Sequence, residues 1–92
     1  MKTMNLTIKN KQGLHVRPST KFVEIAENFP GTITVKTDTK EVNGKNIMEL
    51  IFLALDFGDT FTVIANSDEE SSENAILNEL KQLVEVQKFY ET

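Results

Sequence analysis

With 92 residues, 39% hydrophobic and 26% charged, the chain has material for one domain with a single modest core. It has no cysteine, which excludes disulfides and thiol chemistry, and its one histidine has no second histidine or cysteine with which to hold a metal. The net charge of −4 is uneven: residues 1–21 carry five bases (Lys2, Lys9, Lys11, Arg17, Lys21) and no acid, whereas residues 22–92 set five bases against fourteen acids, a body ill-suited to nucleic acid.

Met4, Leu6 and Ile8 alternate with polar residues, so residues 3–8 read as a strand with one buried face. The same alternation lacks a signal peptide's apolar centre. No run reaches the roughly 18 apolar residues of a membrane span, so no membrane insertion and a cytoplasmic location are expected. Gly13 allows a turn, and a helix is predicted from Val16 to Asn28, with Phe22, Val23, Ala26 and Phe29 inward and Lys21, Glu24 and Glu27 outward. Pro30-Gly31 stops it.

Thr32–Lys36 is a β-branched, alternating second strand, and Lys40–Asn43 a short third one with Val42 inward. Asn46 offers a helix N-cap before a short helix from Ile47 to Leu55. Gly58-Asp59 turns into a fourth strand, Thr60–Ala65. A last helix opens at Ser67-Asp68-Glu69-Glu70, with a Ser67/Glu70 capping box, and carries a stripe of Ile76, Leu77, Leu80, Leu83, Val84 and Gln87. The order β-α-β-β-α-β-α predicts an α+β open-faced sandwich, a four-stranded antiparallel sheet covered on one face by three helices, in a single domain over residues 1–92.

Chemistry concentrates at Gly13-Leu14-His15-Val16-Arg17-Pro18-Ser19. If His15 caps the first helix, the free N–H groups of the first turn and the helix dipole make an anion site beside the imidazole. Arg17 adds a permanent cation whose planar fork suits phosphate oxygens. Pro18 breaks no hydrogen bond in a first turn and restricts the backbone of Arg17, stiffening the turn and aiming its side chain. A histidine before a helix is often no more than a loop residue, and either neighbour alone is unremarkable, so these residues by themselves leave phosphate holding and a plain helix start about evenly matched. Ser19, four residues along the same helix, makes a poor nucleophile–base pair with His15. No Gly-rich nucleotide loop occurs, so no bound nucleotide or other cofactor is expected.

The segment Gly13–Ser19 resembles the active-centre motif of the HPr family, the histidine-containing phosphocarriers of the bacterial phosphoenolpyruvate-dependent phosphotransferase system. Asn43-Gly44-Lys45-Asn46-Ile47-Met48 resembles that family's entry into its short second helix, and the element order agrees along the chain. The resemblance implies a cytoplasmic shuttle working through a phosphohistidine rather than a stand-alone enzyme. His15 would accept phosphate on Nδ1 from an Enzyme I-like donor and pass it to a IIA-type acceptor in sugar uptake or its regulation, with Arg17 stabilising the phosphate. Val16, Thr20, Ile47, Met48, Ile51 and Phe52 would meet these partners, and a monomer is the simplest state for such a shuttle.

Two departures stand out. Many family members carry a kinase-modified serine at the place of Asn46, and here no serine or threonine lies between Val42 and Asp59, so that control is expected to be absent. The short helix is unusually apolar: Leu50, Leu53 and Ala54 are expected to face the sheet, leaving Ile47, Met48, Ile51 and Phe52 as an exposed patch beside His15. Lys21, Glu24 and Phe52 look more like the nitrogen-related regulatory branch of these carriers. A regulatory adaptor that binds a target protein through the Ile47–Phe52 patch, with phosphorylation as a switch, is the alternative. A third reading, a ligand-binding sandwich, requires a pocket between sheet and helices.

Overall fold

The computed structural model describes residues 1–91. Four strands, β1 (Lys2–Thr7), β2 (Thr32–Lys36), β3 (Glu41–Asn43) and β4 (Thr60–Asn66), form one sheet in the order β1-β4-β2-β3, each neighbouring pair antiparallel. The register explains the alternation seen in the sequence. Met4 pairs with Val63, Val63 with Val35, and Val35 with Val42, so one apolar row crosses all four strands on the covered face. Leu6 and Phe61 form the next row. The other face is polar apart from Ile64, and there Thr62 donates its hydroxyl to Asn5 Oδ1 at 2.7 Å.

Helices α1 (Val16–Ala26), α2 (Ile47–Phe52) and α3 (Glu70–Lys81) close the apolar face. Phe22, Val23 and Ala26 from α1, Leu50 from α2, and Ile76, Leu77 and Leu80 from α3 meet Ile33, Val35, Val63 and Ala65 of the sheet. Each large side chain buried there contributes about 1.5–3 kcal/mol. Among the described residues, the apolar side chains of the helices and the sheet form one core cluster between the layers.

Several boundaries differ from the sequence reading for local reasons. Helix α1 ends at Ala26 rather than Asn28, because Asn28 and Phe29 donate to Ile25 and Ala26 in a tighter three-residue turn. Helix α2 ends at Phe52. Ala54 follows with φ of 53°, a left-handed residue that turns its own side chain to solvent and swings Leu55 into the core instead. The expected Ser67/Glu70 box does not form: the N-cap of α3 is Glu69, and it is Glu73 that reaches back to accept from the Ser67 N–H at 2.7 Å. Ser67 Oγ instead accepts from the Glu69 N–H at 3.2 Å.

The last helix does not run straight through. A wider turn, Gln82–Val86, closes with Gln87 N–H donating to Gln82 O at 2.8 Å, and the extra residue shifts the apolar register. Lys88, Phe89 and Tyr90 then take left-handed backbone, so Gln87 is exposed and Phe89 fills the buried place expected for it.

Candidate functional site

The loop between β1 and α1 is held in position from both sides. Within it, Asn10 Nδ2 donates to Gly13 O at 2.8 Å and Gly13 N–H donates to Asn10 O at 3.2 Å. Against the loop between α2 and β4, Leu14 N–H donates to Leu55 O at 2.8 Å, Ile8 N–H to Asp59 O at 2.9 Å, and Gly58 N–H to Ile8 O at 2.9 Å. Gly13 has a φ of 76°, and a Cβ there would lie 2.5 Å from Leu55 O, so only glycine lets the two loops close. Asp59 in turn braces the second loop, accepting from Asp56 N–H at 2.8 Å.

This framework presents His15 as the N-cap of α1, with φ −87° and ψ −164°, and the ring is exposed. Its carbonyl accepts the Ser19 N–H at 2.9 Å, while its side chain makes no capping bond. Ser19 is buried and its hydroxyl lies 3.4 Å from Leu14 O, which accepts from it, so this hydroxyl faces away from solvent chemistry. Pro18 is the buried third residue of the helix and brings no N–H. Among the described residues, the N–H groups of Val16 and Arg17 therefore have no acceptor, and α1 has no acid in its first turn. The positive end of this helix dipole opens to solvent beside an imidazole.

Arg17 is exposed and pairs with no acid among the described residues. Val16 is 59% exposed, and Thr20, one turn on, is exposed with its hydroxyl donating to Val16 O at 2.8 Å. The sequence-predicted patch on α2 is narrower than expected. Met48 and Phe52 are 70% and 68% exposed and stand one turn apart on the same face. Ile47 is half-buried and packs against the core, and Ile51 is also half-buried, because a six-residue helix lying on α1 turns about half its surface inward.

Helices α1 and α2 run in opposite senses. Lys45, just before α2, donates from Nζ to Phe29 O beyond the end of α1 at 2.6 Å, while the chain leaving α2 reaches Leu14 through Leu55. Phe52 therefore lies at the same end of the molecule as His15. Asn46 caps α2 as predicted, accepting the Glu49 N–H on its side-chain oxygen at 3.1 Å. Sequence reasoning missed Phe57, which is 62% exposed on the loop braced against Gly13. An aromatic inside the turn-forming run Asp56-Phe57-Gly58-Asp59, where a solvated loop has no core to fill, was the available signal.

A four-stranded sheet with helices on one face, presenting one braced histidine turn at its rim, defines a class of small α+β proteins. Residues 2–86 match the family model described as the PTS HPr component phosphorylation site. The chain is 36% identical over 78 residues to the phosphocarrier protein HPr of Borreliella burgdorferi, covering 85% of this chain and 87% of that one. It is 41% identical over 63 residues to the HPr-like protein Crh of Halalkalibacterium halodurans, covering 68% and 75%. Among solved structures, HPr from Thermoanaerobacter tengcongensis superposes with a TM-score of 0.89 at 38% identity, over 100% of this chain and 99% of that one. The chain belongs to the HPr family, the phosphoryl carriers of the phosphotransferase system. Its general role is that of a phosphoryl carrier, as the resemblance of the Gly13–Ser19 segment to that family implied.

Proposed function

We propose that His15 is the residue that carries the phosphoryl group, taking it from an Enzyme I-like donor charged by phosphoenolpyruvate and passing it to a histidine of a IIA-type protein. The observation that supports this reading is the open helix start: an exposed imidazole beside two backbone N–H groups without acceptors, on a loop braced at Gly13. On loading, a ring nitrogen of His15 attacks phosphorus, the N–P bond to His15 forms, and the bond to the donor breaks with its electron pair returning to the donor. On delivery, a ring nitrogen of the acceptor histidine attacks the same phosphorus and the N–P bond to His15 breaks, its electron pair returning to the imidazole. The N–H groups of Val16 and Arg17 and the Arg17 guanidinium receive the arriving negative charge. Both partners would use the surface around Val16, Thr20, Met48 and Phe52, with Ile47 and Ile51 supporting it from the half-buried side. No helix among the described residues is long and apolar enough to cross a membrane, and we propose that the carrier works in the cytoplasm.

Incubation with phosphoenolpyruvate, Mg²⁺ and Enzyme I from the same source, followed by intact-mass analysis, tests the proposal. One acid-labile phosphate on the wild type and none on His15→Ala is the expected result. An equal phosphate on His15→Ala would overturn it. Replacing Arg17 with Gln should slow transfer about tenfold or more with the fold intact, since hydrogen bonds to charged groups are worth on the order of 1.5–3 kcal/mol.

The exposed Met48–Phe52 pair also favours a second reading, a regulatory adaptor that grips a target protein with phosphorylation as its switch. Target binding that ignores the state of His15 would favour the adaptor. We propose a monomer as the working form. A solved Crh of Bacillus subtilis, 30% identical with a TM-score of 0.69 over 100% of this chain and 98% of that one, is described as a swapped-domain dimer, so the mass in solution is the check.

A further inference from the structure

We infer that Lys40 is a positioning residue for phosphoryl transfer, holding Phe52 as a fixed aromatic anchor on the docking end; the inference rests on the reading of His15 given above. Phe52 is the last residue of α2 and stands well exposed. An unsupported phenylalanine there would sample several rotamers and lose them on docking. Lys40 removes that freedom. Its Nζ lies 4.4 Å from the centroid of the Phe52 ring and also donates to Phe52 O at 3.2 Å. One ammonium thus covers the ring face and satisfies a carbonyl left open at the end of a six-residue helix, where the dipole favours a cation.

Lys40 is itself anchored. Its N–H donates to Thr37 Oγ1 at 3.1 Å and its carbonyl accepts the Thr37 N–H at 2.8 Å, in the turn that joins β2 to β3. The side chain therefore bridges from a rigid turn of the sheet to the end of α2. Among the described residues Lys40 forms no ion pair, so its charge is committed to Phe52 rather than to an acid of its own chain. Because the chain continues from Phe52 to Leu55, whose carbonyl receives the Leu14 N–H, fixing Phe52 also fixes its place relative to the His15 loop.

The test is steady-state phosphorylation by Enzyme I with phosphoenolpyruvate and Mg²⁺, varying the carrier. Lys40→Met should raise KM about three- to tenfold with kcat unchanged, the cost of re-ordering one exposed aromatic side chain and losing its cation. Lys40→Arg, which still donates and stacks, should restore the wild-type KM. In a Phe52→Leu background, Lys40→Met should have no further effect. An unchanged KM in Lys40→Met overturns the inference, and so do effects of the two substitutions that multiply, since Lys40 would then act on the partner directly. Failure of the wild type to take any phosphate would instead overturn the His15 reading and the role of Lys40 with it.

Discussion

The starts of α1 and α3 differ in the charge that the chain places beside them. At α3 the first turn carries Glu70 and Glu73, and the fully buried Glu73 carboxylate accepts from Ser67 N–H at 2.7 Å and lies 3.1 Å from the Met1 amino group. The chain supplies its own negative charge there, although the side chain of the Glu69 N-cap makes no capping bond. At α1 no acid occurs in the first turn, the His15 side chain makes no capping bond, and Pro18 stands third. A helix start left without an internal acceptor at the molecule's surface is available to an anion that arrives on another protein. The contrast is one of charge: α3 carries acids in its first turn, and α2 has Glu49 there together with a cap from Asn46, whereas α1 has neither an acid nor a side-chain cap.

Four substitutions test this contrast. The largest effect is expected from Gly13→Ala, which forces a side chain to φ 76° and into Leu55 O. It should cost about 1–3 kcal/mol by urea denaturation and slow transfer, because the brace behind the open end gives way. Val16→Glu would make α1 resemble α3. It should add about 0.5 kcal/mol of stability through the dipole yet cut phosphorylation roughly tenfold, since like charges brought together are costly. A variant that is more stable and equally active would break the comparison.

Glu73→Gln tests the acidic end. Its carboxyl is held below the ordinary carboxylate range first by the Ser67 N–H, with the Met1 amino group and Lys2 adding to this and burial opposing it. A depressed carboxyl stabilises fully above its unfolded-state pKa, and that contribution is lost as pH falls through the lower folded-state value. The wild type should therefore lose stability on acidification, while Glu73→Gln starts lower at neutral pH and declines less steeply, with phosphorylation at neutral pH unchanged. Urea midpoints between pH 3 and 7 check the sign. The smallest effect is expected from Ala54→Gly, which relieves φ 53° after α2 and should stabilise by about 0.5–1 kcal/mol.

What could be read from the sequence was what depends on near neighbours. The inward faces of Leu6, Ile8, Ile33, Val35 and Val63 follow from alternation. Asn46 as a cap, and His15 at the start of α1, follow from residue type and position. The failures share a cause. Leu55 rather than Ala54 faces the core because one left-handed residue ended the helical period, and Phe89 replaced Gln87 because a wider turn added a residue. Glu73 reaching back to Ser67, rather than Glu70 doing so, depends on where the N-cap falls. The bridge from Lys40 to Phe52 spans twelve residues and joins a turn to a helix end, with no periodic or local trace in the sequence.

The central claim is that the open start of α1 receives the phosphoryl group carried by His15. Amide NMR spectra recorded before and after phosphorylation by Enzyme I test it most directly. Large shifts are predicted for the Val16 and Arg17 amides, with those of Ser67 and Glu73 at the acidic start of α3 unmoved. A phosphorylated protein whose Val16 and Arg17 amides stay where they were would contradict the account.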